Sequence, residues 1–475
     1  MARKIVSVLL TVCMIALLAG CGSNPAPAAA DNAPAEEKKE VAAATEEVKA
    51  AEEVAEEVAA EDITADLTLW SYPRFDDQDE FFTEDVMAAF NEKYPNITLN
   101  MTTIPWDGGP EKVNVAIASG TAPDLLTDTD MRINGYATKG VLVPLDDVIE
   151  ANAEGVSEVW QNDVVVDGKK YLAPTYTSGC ASMAVNVALA EKYGIADMLP
   201  EDHMSWSWDD FAKFCRAGTE AGKADGVYGI GFFAGSQSSD SNTLSWLMGG
   251  GDTVMNEDCT KIAINTDNAA KVLDNMAELV EDGTALPGAT TIIDDEIIEL
   301  FLGGKLIAMQ YCDLWTINEA YSRAEAGEID CPMDAQYYLM PSLDGNPSRS
   351  ICYGASGWCV FDNGDEDKIA AAKAFIDFFM GSEWEEQYLN KAAQLPCKSG
   401  YTVAADKPAV SKQIDIMNTM AARSVTNWGS QLGCWTEVRS VFYPEIQAVY
   451  SGVQSGKDAL TNFANNAQKI IDENQ

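Results

Sequence analysis

The chain has 475 residues, 47% of them apolar and 9% aromatic, which is enough to bury a large core in more than one globular unit and excludes a disordered or collagen-like chain. Its 75 acidic against 31 basic side chains give a formal charge of -44, which repels phosphate backbones and anionic lipid surfaces, so no nucleic-acid partner is expected. A single histidine, His203, leaves at most one imidazole for a zinc site or a Ser-His-Asp triad, and no metal or other cofactor is expected.

Taken in chain order, residues 1–21 read as an export signal. Arg3 and Lys4 supply the positive start, and residues 5–18 are almost wholly apolar yet short for a membrane span. The closing Leu18-Ala19-Gly20-Cys21 resembles the bacterial lipoprotein lipobox. That resemblance implies cleavage before Cys21 and lipidation of Cys21; an ordinary secretory signal is the alternative. No later stretch approaches about 18 consecutive apolar residues, so the lipid is the only membrane anchor expected, with the mature chain outside the cell membrane. Residues 22–64 are rich in Ala, Glu, Pro and Val, with 12 acids and 3 lysines, and are expected to form a disordered acidic tether. Of 11 cysteines, nine remain beyond Cys13 and Cys21, so at least one thiol cannot pair within the chain. Cys352/Cys359 and Cys312/Cys331 are the candidate disulfides suggested by nearness in sequence.

From residue 65 short apolar runs alternate with amphipathic stretches. A strand is expected over 67–70, a helix over 82–94, a strand over 97–101, a helix over 113–119 ended by Gly120, and a strand over 122–126. This order predicts an α/β layer with a parallel sheet, whose sites lie at strand ends. The residues there are Ser71-Tyr72, Pro105-Trp106 and Asp128-Thr129-Asp130, aromatics and carboxylates suited to a polyhydroxylated ligand. Core packing is the competing role for Trp70 and Trp106. Ser207 with Asp210 three residues on marks a helix start flanked by Trp206 and Trp208, a structural feature.

Several segments in order then carry a resemblance. They are Tyr94-Pro95-Asn96-Ile97, Ala118-Ser119-Gly120-Thr121-Ala122-Pro123-Asp124, Gly140-Val141-Leu142-Val143-Pro144-Leu145-Asp146, Asp167-Gly168-Lys169-Lys170-Tyr171, Phe301-Leu302-Gly303-Gly304-Lys305 and Ser455-Gly456-Lys457-Asp458-Ala459-Leu460. Together they resemble the family 1 extracellular solute-binding proteins of sugar-importing ABC transporters, maltodextrin-binding type. The resemblance implies a type II periplasmic-binding-protein fold, two α/β lobes with the ligand cleft between them. It places lobe 1 at 65–175 with 355–412 and lobe 2 at 176–354 with 413–475. A carbohydrate ligand, permease subunits as partners and a monomeric state are implied as well.

The same resemblance suggests the site. Asp128, Asp130 and Arg132 resemble the turn that holds sugar hydroxyls, since a carboxylate accepts and a guanidinium donates several hydrogen bonds. A loop ion pair is their alternative. Trp435-Thr436-Glu437-Val438-Arg439 resembles the helix bearing a sugar-stacking tryptophan, and Trp315, after Gln310-Tyr311, a second stacking position, with core packing as the alternative for both. Ser178 stands where maltodextrin-type proteins carry a ligand-binding glutamate, which argues against maltose itself; Tyr176 precedes it. Tyr72 and Trp106 complete the ligand-binding set of Tyr72, Trp106, Asp128, Asp130, Arg132, Tyr176, Ser178, Gln310, Trp315 and Trp435. A secreted glycoside hydrolase would share a cleft of aromatics and carboxylates, but no Gly-x-Ser-x-Gly elbow, P-loop or calcium-loop pattern is present, so no catalytic residue is assigned. A binding protein for a non-sugar polar solute is the other alternative.

Overall fold

Along β1 (Ala65–Ser71) the residues Ala65, Leu67, Leu69 and Ser71 are buried while Asp66 faces solvent, the period-two pattern of a strand packed on one face. The structure, a computed structural model, describes residues 63–474 except 107, 405, 406 and 427. The signal segment, Cys21 and nearly all of the expected tether lie outside the described residues. The further strands are β2 (Ile97–Thr103), β3 (Leu125–Thr129), β4 (Ala173–Thr177), β5 (Met183–Asn186), β6 (Tyr228–Gly231), β7 (Leu306–Met309), β8 (Ala335–Tyr338), β9 (Ala355–Val360) and β10 (Leu395–Pro396).

They form two main sheets. The first has the order β10-β4-β9-β3-β1-β2, with β1 parallel to both β2 and β3, and β9 antiparallel to β3 and β4. The second has the order β8-β5-β7-β6, with β6 and β7 parallel and the remaining pairs antiparallel. Residues 178–182 run from β4 of the first sheet to β5 of the second. The stretch 339–354 returns from β8 to β9.

The strand expected over 122–126 lies instead at Leu125–Thr129. Pro123 lacks the N–H a ladder needs, and Asp124 turns its carboxylate to accept from the Thr68 backbone N–H and hydroxyl, each at 2.8 Å. The expected helix start at Ser207 is present, its hydroxyl accepting from the Asp210 N–H at 3.1 Å. The first sheet is backed by an aromatic cluster in which Trp358 of β9 meets Phe82, Phe375 and Phe379 edge-on at 5.2–5.7 Å. Burying each such ring contributes about 2–3 kcal/mol. All nine described cysteines are free thiols, so neither Cys352/Cys359 nor Cys312/Cys331 is bonded here.

Candidate functional site

Parallel strands direct their C-terminal ends to one edge, and in both sheets those ends open on the same cavity, of about 620 Å³. From the first sheet come Arg74 and Gln78 after β1, Trp106 after β2, Thr129 ending β3, and Asp130 and Arg132 of the helix Asp130–Thr138. From the second come Phe233 after β6, Tyr311, Asp313 and Trp315 after β7, and Asp294 of the helix Asp294–Leu302. Ser178 and Tyr353, on the segments joining the sheets, close the inner wall.

One wall is a stack of rings and guanidinium groups. Tyr72 lies flat on Trp106, centroids 4.2 Å apart at 14°. The Arg74 guanidinium sits 4.6 Å from the Trp106 ring and 4.8 Å from that of Tyr176, whose hydroxyl accepts a hydrogen bond from it. Arg132 covers Tyr72 at 5.1 Å. Asp128, buried at the end of β3, accepts from Arg132 Nε at 2.7 Å and from the Tyr136 hydroxyl at 3.3 Å. Burial works against the Arg132 charge, but Asp128 beside it outweighs that and holds the guanidinium above its ordinary pKa.

Four buried polar atoms on this wall lack a hydrogen-bond partner, the Tyr72 hydroxyl behind Trp106 among them. Gln78 donates through Nε2 to Ser71 Oγ and to the Tyr72 carbonyl, both at 3.1 Å, which leaves its Oε1 unpaired. Thr129 Oγ1 is also unpaired. Arg132 Nη2 is ion-paired with Asp128 Oδ1 at 2.5 Å but makes no aligned hydrogen bond. An unsatisfied buried polar atom costs about 1–3 kcal/mol, and a ligand presenting both donors and acceptors recovers it.

Behind the wall lies a carboxyl pair. Gly354 has no Cβ, and one placed there would fall 2.4 Å from Asp130 Oδ2 and 2.7 Å from Asp163 Oδ2, so the two oxygens are within about 5 Å of each other. Burial pushes Asp130 above the usual carboxylate range, against the Met131 N–H and the Ser430 hydroxyl. Asp163 is raised further by burial and by Asp130, although it accepts from the Ala355 N–H.

Of the ten residues expected from sequence, Trp106, Asp130, Arg132, Ser178 and Trp315 line the cavity. The other five do not line it. Tyr72 backs Trp106, Asp128 holds Arg132, and Tyr176 backs Arg74. Gln310 is fully buried, accepting from the Phe233 N–H at 3.0 Å and donating to Thr243 Oγ1 at 2.8 Å. Trp435, 1% exposed, packs edge-on against Trp428 at 5.3 Å inside the core behind the second sheet. Asp128, Asp130 and Arg132 belong to a strand end and a helix start rather than a solvated loop, though the ion pair weighed for that loop is present. Sequence reasoning passed over Gln78, Arg74, Asp163 and Arg439. Arg439 lies in a motif already singled out, and it donates to Asp240 at 2.7 and 2.9 Å from the far wall.

The family model described as bacterial extracellular solute-binding protein matches residues 72–386. The chain belongs to that family. This solute-binding protein is 24% identical over 392 residues to a putative binding protein of Brucella abortus, covering 82% of this chain and 90% of that one. It is 23% identical over 327 residues to the arabinooligosaccharide-binding protein of Bacillus subtilis, 67% of this chain and 70% of the relative. Its fold is that of an ABC transporter solute-binding protein from Thermotoga lettingae bound with alpha-D-tagatose, at a TM-score of 0.72 and 18% identity, over 86% of this chain and all of the other. The two-lobe solute-binding fold is thereby the fold of this chain. No helix among the described residues is long and apolar enough to cross a membrane.

Proposed function

We propose that the protein captures a mono- or oligosaccharide in the cavity between its two sheets and delivers it to the permease subunits of an ABC importer. The observation that carries this reading is the coexistence, on one wall, of a Trp106 surface with unpaired buried acceptor and hydroxyl atoms on Gln78 and Thr129 and the charged guanidinium of Arg132. A sugar ring offers an apolar C–H face to an aromatic and hydroxyls that both donate and accept. Trp315 supports it, because its ring meets no other aromatic among the described residues and lines the cavity from the opposite sheet. The relative in Bacillus subtilis and the Thermotoga structure are named for sugars.

In this reading the ligand-contacting set is Gln78, Trp106, Thr129, Asp130, Arg132, Ser178 and Trp315, with Tyr72, Asp128 and Tyr176 as supports. Lobe 1 is the first sheet with its helices and lobe 2 the second. Because β4 runs to Thr177 and the helix Pro408–Ala421 packs on the helix Leu314–Ala326, the lobe changes fall after 177 and before 408. Ligand touching both lobes when closed and one when open favours closure. The chain is a monomer held outside the membrane by lipid on Cys21, and it binds its sugar without turning it over.

A thermal-shift screen of the protein against mono-, di- and oligosaccharides tests this. A ligand at 100 times its dissociation constant adds about 2.7 kcal/mol of native-state stability. A selective rise in melting temperature, with the sugar recovered intact by chromatography, is the expected result. No shift with any sugar removes the carbohydrate reading, and cleavage of the hit replaces it with a hydrolase.

A further inference from the structure

Two of the segments that pass between the sheets bring a pair of cysteines opposite each other. Cys180, in the stretch from β4 to β5, and Cys352, in the return to β9, face each other in an isolated antiparallel bridge. The Ala181 N–H donates to the Ile351 carbonyl and the Tyr353 N–H to the Gly179 carbonyl, both at 2.9 Å. These bonds flank the two cysteines and make them a non-hydrogen-bonded pair, the closer of the two antiparallel spacings, with Cα atoms about 4.5 Å apart and side chains on the same face. That separation lies within the range of about 4.4–6.8 Å that a disulfide spans. Both residues are thiols here. Cys180 turns its Sγ toward Met417 Sδ at 3.5 Å, and Cys352 turns its own toward the Tyr353 carbonyl at 3.5 Å, so bonding requires each side chain to turn from that partner toward the other.

We infer that Cys180 and Cys352 form a disulfide site that ties two of the connecting segments to each other and so restrains the movement of one sheet relative to the other. The oxidant is an external disulfide. Cys352, half-buried where Cys180 is fully buried, gives up its proton and attacks one sulfur of that disulfide, whose S–S bond breaks and releases one thiol. Cys180 then loses its proton and attacks the Cys352 sulfur of the mixed disulfide, expelling the second thiol. The protein loses two hydrogens, and the external disulfide is reduced to two thiols. Burial raises the pKa of both thiols, which makes the exchange slow, in keeping with a bond that persists once made. Among the described residues Cys397 is a rival partner near Cys352, but it has no bridge pairing with it, its N–H donating instead to the Thr175 carbonyl at 3.0 Å.

The site itself stands apart from the sugar reading; its effect on closure rests on it. The experiment incubates the folded chain with oxidised glutathione, blocks remaining thiols, and maps cross-linked peptides by mass spectrometry. The expected result is a loss of two hydrogens located in a Cys180–Cys352 peptide, with a higher melting temperature than the reduced form, and neither change in Cys352→Ser or Cys180→Ser. A persistent glutathione adduct on Cys352, a Cys352–Cys397 link, or no reaction overturns the site. In a second arm, affinity for a sugar found by the thermal-shift screen is compared between the two forms. A change of at least threefold is expected, and an unchanged affinity with the bond mapped overturns the restraint on closure. Should no sugar bind, the peptide map still decides the site.

Discussion

Two tryptophans of similar sequence surroundings have opposite fates. Trp315 stands two residues past the Asp313 that caps the helix Leu314–Ala326, and its position after a strand end turns it into the cavity. Trp435 also opens a helix, but its indole is driven inward because Gly429 leaves room: a Cβ there would come within 2.2 Å of the ring. Substituting Trp315→Ala should weaken binding of a sugar identified by thermal shift by about 2 kcal/mol, on the scale of buried aromatic anchors, with little change in denaturant midpoint. Trp435→Ala should do the reverse, costing about 3–5 kcal/mol of stability by cavity creation. Calorimetric titration beside a guanidinium melt separates the two, and equal effects on both quantities in both variants would refute the assignment. The turn from β3 into the next helix was legible because Asp128, Asp130 and Arg132 are close in sequence and chemically paired. Gln78 and Asp163 were not, since what makes Gln78 notable is a partnerless Oε1, and Asp163 meets Asp130 only through the missing side chain of Gly354.

At the scale of elements, the centre of the first sheet depends on one irregular strand. The register between β9 and β4 shifts between Ser356 and Gly357, and a Cβ at Gly357 would lie 2.0 Å from the Ala173 carbonyl oxygen and 3.0 Å from its carbon. Those atoms are backbone held in the ladder, so they cannot give way as a flexible side chain would. Gly357→Ala should therefore cost about 3 kcal/mol through forced separation of the strands, read as a fall in denaturant midpoint at unchanged slope. A midpoint within error of the parent would show that the sheet accommodates the methyl group. Gly354 and Ser356, just before this glycine, line the cavity, and Ala355 between them donates its N–H to Asp163. Apolar alternation located the strands well where one face is buried and the other is not, as in β1 and β2. It misplaced β3 by three residues because side-chain chemistry at Pro123 and Asp124, rather than hydrophobicity, decides where pairing begins.

For the whole molecule, two separate forces make stability depend on pH, and they can be told apart. The large excess of carboxylates repels itself, which favours the unfolded chain as pH rises, and salt screens it. The buried pair acts in the same direction but locally. Asp130 and Asp163 are raised to about 6 and about 8, against about 3.9 for an aspartate in the unfolded chain. Below about pH 4 both states hold the protons and nothing is lost. As pH rises from there through the folded values the native state binds more protons than the unfolded one, so stability falls with pH. Carboxylates held low by partners, such as Asp210 bonded by Ser207 and Lys213, act only in acid below that window. His203, whose pKa burial lowers, opposes the trend below about pH 6.5. Denaturant midpoints measured from pH 5 to pH 8 in 0.5 M salt should thus still decline, because salt removes the surface repulsion and leaves the buried pair. In Asp163→Asn, whose amide can accept from the Ala355 N–H and donate to Asp130, the decline should flatten. A slope that salt abolishes and the substitution leaves intact would assign the whole effect to surface charge, and would mean that Asp130 meets the ligand as an ordinary carboxylate.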